Sequence, residues 1–176
     1  MSLQATLMAM GLFVGGGADR VAAETSDVAL NDTEKSFIDV VAAADRAEME
    51  LSRAIASRTS KPGVRKLART ILSEDAANYH ELFRLCLTKT YAIAPQLDER
   101  HREALRRLQA APAHDEGLEQ TYLDTIRLDK ADLSEVLERI SSDATDGELS
   151  RFAAGTLAMV QKHQLMLHEL AANTRG

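Results

Sequence analysis

The sequence predicts an all-α fold in which four long helices form two antiparallel hairpins, joined by a short connecting helix. Three observations carry that reading. Apolar residues recur at three- and four-residue steps through most of the chain, the spacing that puts them on one face of a helix. Aromatic residues make up only 4% and tryptophan is absent, while Ala, Leu, Glu and Arg abound, a composition suited to helices rather than to a sandwich or barrel. The two halves also repeat faintly: Tyr122 stands 85 positions after Phe37, Phe152-Ala153 the same distance after Leu67-Ala68, and Asp124 after Asp39. Such a repeat implies approximate two-fold symmetry, with the short helix making the long crossover. At 176 residues and 45% hydrophobic content the chain can build one core, so a single domain is the default.

Residues 1–23 read as a signal peptide. "ATLMAMGLFVGGG" (Ala5 to Gly17) is an apolar run too short to span a bilayer, and small residues at Val21 and Ala23 suit cleavage after Ala23. Read instead as a buried helix, the run would carry three consecutive glycines at a cost. "MSLQ" lacks Lys and Arg, and a start codon assigned too far downstream would account for the missing basic segment. No Cys stands at the cleavage position to accept a lipid, and no other stretch is long and apolar enough to cross a membrane. The expected product is periplasmic or secreted, with a polar linker over residues 24–32 and a helical domain over residues 33–173.

Asp32 or Thr33 can cap the first helix, whose apolar positions run Phe37, Val41, Ala44, Leu51 and Ile55. "SKPG" interrupts the pattern, and Pro62 fits the first turn of helix two, which continues through Val64, Leu67, Ile71, Leu82 and Leu85. A short charged helix is expected from about Asp98 to Ala110, bounded by "APAHDEG", whose Pro112 and Gly117 mark a loop. Helix four carries Tyr122, Ile126, Leu133, Val136 and Ile140. "SSDATDG" then separates it from helix five with Leu149, Phe152, Met159, Met166 and Leu170.

A net charge of -6 spread along the chain offers no footprint for nucleic acid, whose phosphates require a basic face. The basic stretch Arg100 to Leu108 reads as solvated helix charge. The single cysteine, Cys86, excludes an internal disulfide, and its neighbours Leu82, Phe83 and Leu85 make it a small core side chain rather than a reactive thiol.

The core stripes contain a second pattern. Helix one reads Phe37, Val41, Ala44, Glu48, Leu51, Ile55, and helix two reads Val64, Leu67, Ile71, Asp75, Asn78, Leu82. Helix four reads Tyr122, Ile126, Asp129, Leu133, Val136, and helix five Phe152, Thr156, Met159, His163, Met166. Each long helix thus breaks its apolar stripe near the midpoint, and Glu48, Asp75, Asp129 and His163 should converge at one level. Three carboxylates buried together need a compensating charge or a proton. A single divalent metal ion held by oxygen ligands and one imidazole would supply it. So would Lys130 reaching in from beside Asp129. Alternatively, small helix rotations place two of the acids at the solvent edge and leave an ordinary core histidine.

"AEMEL" (Ala47 to Leu51), "LARTILSED" with Asn78 and Leu82, "TYLDTIRLDK" and "RFAAGTLAMVQKHQ" together resemble a ferritin-like bacterial family of mostly exported proteins, domain of unknown function 4142, over about Phe37 to Leu170. The resemblance implies a ferritin-like bundle and export. It also implies an Asp-His pair where this chain has Glu74-Asp75, and another where it has Asp129-Lys130; both histidines are missing. The family's Leu-Pro in helix five stands here as Leu157-Ala158, while its histidine is kept as His163 and the helix-one acid as Glu48.

No Glu-x-x-His pair of the di-iron type occurs, nor a GxSxG elbow, a Walker loop, HExxH or zinc-type cysteine spacing. His80, His101, His114 and His168 fall off the core stripes or in the charged connector, and solvated side chains are expected for all four. The expectation is therefore a non-enzyme without a cofactor: an exported helical protein with a structural or binding role in the cell envelope. The alternative is a metal-binding protein using Glu48, Asp75, Asp129 and His163. No partner is named by the sequence, and association with copies of itself stays open.

Overall fold

The computed structural model describes residues 29–93, 96–112 and 115–173; the expected signal peptide, most of the linker and His114 lie outside them. Five helices make up the described chain: α1 (Asp32–Ala56), α2 (Pro62–Thr88), α3 (Glu99–Ala110), α4 (Glu116–Asp143) and α5 (Gly147–Asn173). Among the described residues there is no strand, and no helix is long and apolar enough to cross a membrane.

The helix starts follow capping chemistry. Asn31, not Asp32 or Thr33, caps α1: its side chain accepts from the Glu34 amide while Glu34 reaches back to the Asn31 amide, each at 2.9 Å. Glu34 does more than cap, because its other oxygen accepts from Thr145 N at 2.9 Å and Asp146 N at 3.1 Å, tying the start of α1 to the α4–α5 turn. Pro62 opens α2 as expected, Asp98 caps α3 through the His101 amide, and Asp146 accepts from Leu149 N at the start of α5. Where α2 ends, Thr90 adopts a left-handed backbone with φ 52, strained for a β-branched residue.

α1 packs most extensively on α2 and α4 on α5; α1 also meets α4, α2 meets α5, and α3 lies across α1 and α4. The buried side chains fall into two apolar clusters. One contains Phe37, Leu82, Leu137 and Phe152, with the Phe37 and Phe152 rings edge to face at 6.4 Å. The other contains Ile55, Leu67, Tyr122 and Leu167. Residues 85 positions apart lie in opposite clusters: Phe37 with Tyr122, and Leu67 with Phe152. Cys86 is buried in the first cluster, and burial followed by the Asp39 carboxylate pushes its thiol up to about 11.

Four stripe positions are corrected by one residue. Asp45 is buried in place of Ala44, Leu137 in place of Val136, Val160 in place of Met159, and Leu167 in place of Met166. Adjacent helical residues point about 100° apart, so a small rotation of each helix about its axis selects one neighbour over the other.

Candidate functional site

Between the two apolar clusters lies a polar layer drawn from α1, α2, α4 and α5. Lys130 enters it from α4 and is fully buried, a side chain that α4 directs inward where the stripe had assigned Asp129. Its ammonium lies 2.6 Å from Glu48 Oε2 and 3.6 Å from Asp75 Oδ1. His163 is also fully buried; its Nδ1 is 3.9 Å from Asp75 Oδ1, and its Nε2 lies 2.9 Å from Glu74 Oε2 at the edge of the layer. Glu74, part-exposed, is also in contact with Lys162.

Asn78 bridges the layer. Its amide nitrogen donates to Asp45 Oδ2 at 2.8 Å, and its oxygen accepts from Thr156 Oγ1 at 2.8 Å, linking α1, α2 and α5. Asp45 thus belongs to the layer although the stripe passed it over, and its position three residues before Glu48 was the available signal.

Asp129 leaves the layer. It is buried, but under α3, with Oδ1 accepting from Arg100 at 2.7 Å and Oδ2 facing His101 Nε2 at 3.1 Å. His101, expected in solvent, is only 7% exposed, and its Nδ1 lies 2.8 Å from Asp98. It sits at the head of the buried face His101, Ala104, Leu108 of α3, a helical spacing readable in the sequence but overlooked beside the charges. Those charges pair locally: Arg102 and Arg106 with Glu99, Arg107 with Glu103.

The layer's electrostatics follow from burial. Desolvation pushes the Asp45 carboxyl up to about 8, against the Asn78 hydrogen bond and the Lys130 charge. Burial likewise raises Glu48, opposed by Lys130, and raises Asp75 well above the carboxylate range with help from the Glu48 charge. Burial works against a charged lysine, but Glu48 and Asp75 outweigh it and Lys130 holds its proton more tightly than a free lysine. His163 is held down to about 4 by burial and by the Lys130 ammonium, so it is neutral near pH 7. His101 moves the other way: despite burial, the Asp129 carboxylate raises it. All three carboxyls are driven upward, and of them Glu48, at 2.6 Å, lies nearest the ammonium and is its principal partner.

The 2.6 Å approach pairs Lys130 with Glu48 Oε2. Glu48 Oε1, Asp75 Oδ2 and His163 Nδ1 are buried without hydrogen-bond partners among the described residues. As a cation cradle the layer already contains its cation: the ammonium lies among the oxygens that would hold a metal. Among the described residues, no group of three or more His, Cys, Asp and Glu is disposed to hold one.

Residues 19–170 match a family described as Domain of unknown function (DUF4142). No curated protein and no solved structure matches the chain.

Proposed function

The chain belongs to the DUF4142 family, and from that premise we propose that it is an exported, non-catalytic protein, a ferritin-like four-helix bundle of two antiparallel hairpins with a structural or binding role in the bacterial cell envelope. The helix pairings and the opposite placement of residues 85 positions apart support this architecture. The observation that carries the function is the Lys130 ammonium, 2.6 Å from Glu48 with both side chains fully buried. A lysine stands where a metal ion would otherwise neutralise the carboxylates, in a layer closed to solvent.

A second reading, binding of a single divalent ion, is favoured by one observation: Glu48 Oε1, Asp75 Oδ2 and His163 Nδ1 keep unpartnered lone pairs. Calorimetric titration with zinc, manganese and copper separates the two. The wild-type protein is expected to bind weakly or not at all, because a bound cation and a buried ammonium repel. The double change Asp75→His with Lys130→His should improve binding by supplying neutral nitrogen ligands. Tight wild-type binding that disappears in His163→Ala would give the second reading first place.

A further inference from the structure

The seam between α1 and α4 is roofed by α3, whereas none of the five helices packs across the seam between α2 and α5. Those two helices run antiparallel, with Gly63 facing Leu170 at one end and Asn78 bonded to Thr156 near the middle. Three open hollows follow one another along the seam. Ala77, Gly155 and Ala158, all exposed, line the central one, and Leu165, 67% exposed, shares the helical stripe of Ala158 and Lys162.

The rims carry charges in opposed pairs. From the Gly63 end these are Lys66 with Glu169, Glu74 with Lys162, Glu81 with Arg151, and Arg84 with Glu148. Along α2 the signs run plus, minus, minus, plus; along α5 they run minus, plus, plus, minus. Arg69, on the outer flank of α2, stays outside this pattern. The order matters for a second copy of the chain. A two-fold axis parallel to the helices sets α2 of one protomer against α5 of its partner at the same height, and every pair of facing charges is opposite. An axis across the helices sets α2 against reversed α2, so that Lys66 faces Arg84 and Glu74 faces Glu81, like against like.

We propose that the α2–α5 seam is the interface of a homodimer whose two-fold axis runs parallel to the helices. α2 and α5 are 27 residues each. A face about 40 Å long and about 20 Å across offers about 800 Å² per protomer, the size of a standard specific interface. The small residues on the floor let the facing helices approach, and the alternating charges fix the pairing.

Sedimentation analysis of the purified chain tests this. A dimer is expected at micromolar concentration, weakened by added salt. Glu81→Arg alone and Arg151→Glu alone should each weaken it about tenfold, as should Ala158→Arg, placed on the floor; circular dichroism reports whether each variant keeps its helices. Glu81→Arg combined with Arg151→Glu should dimerise with itself yet refuse wild-type partners, because a mixed pair brings like charges together at that height. A monomer at about 100 μM overturns the proposal. A dimer indifferent to all three single changes, or free mixing of the double variant with wild type, overturns it as well.

Discussion

Replacing Lys130 with Met removes the ammonium while roughly preserving side-chain volume, and its cost can be worked out from the layer. Glu48 is fully buried, and among the described residues the Lys130 ammonium is its only ion-pair partner. Without that partner the carboxylate has to take up a proton to remain buried. From a reference value of 4.5, protonating it at pH 7 costs about 3.4 kcal/mol, at about 1.36 kcal/mol per pH unit. That falls within the about 3 to 5 kcal/mol expected when one partner of a buried pair is removed. The protonation route also predicts a pH dependence: at pH 5 the same cost shrinks to about 0.7 kcal/mol. Urea unfolding of wild type and Lys130→Met at both pH values measures it through the shift in midpoint. A penalty equal at pH 5 and pH 7 would refute the account, since lost packing alone carries no such pH dependence. A penalty below about 1 kcal/mol at pH 7 would do the same, showing that Lys130 does not balance Glu48.

Between about pH 6.5 and 8 the wild-type protein should lose stability as pH rises. Asp45 and His101 both have folded values above their unfolded ones, so Asp45 loses its contribution from about pH 4 up to about 8 and His101 adds a loss above 6.5. Asp45→Asn should flatten that slope in urea midpoints taken across the window. Below that window His163, held down to about 4, opposes Asp45, its contribution vanishing as pH falls from 6.5 towards 4. Asn78→Ala breaks the bridge between Asp45 and Thr156 and should cost about 2 to 4 kcal/mol by chemical denaturation, with a loss under about 0.5 kcal/mol contradicting the bridge. Thr90→Gly should stabilise the protein by up to about 1 kcal/mol in thermal melts by relieving the left-handed strain. Mass spectrometry of the protein from fractionated native cells should find a chain beginning at or near Glu24; an intact cytoplasmic chain would remove the export proposal.

The helices were legible in the sequence because their signals are local. Pro62, the break at "SKPG" and the run from Asp98 to Ala110 mark boundaries that depend only on backbone chemistry, and α2 and α3 begin within a residue or so of those marks. Glu48, Asp75 and His163 could be singled out because a charged or imidazole side chain interrupting an apolar stripe is visible from spacing alone, and the same spacing pointed on α4 to Asp129, with Lys130 only as its neighbour. Spacing does not decide which of two adjacent residues faces inward. Asp129 and Lys130 point about 100° apart on α4, and the rotation that buries Leu137 rather than Val136 also turns Lys130 towards Glu48 and leaves Asp129 beneath α3. The same holds for Asp45 beside Ala44 on α1. His101 was hidden for a related reason: on a charged twelve-residue helix its fate depends on what the helix lies against, and only the packing of α3 over α1 and α4 puts that imidazole on Asp129. Helix phase and the covering of one helix by another come from contacts among side chains far apart in the chain, so the residue types of the polar layer were set by the sequence, and their partners by the tertiary structure.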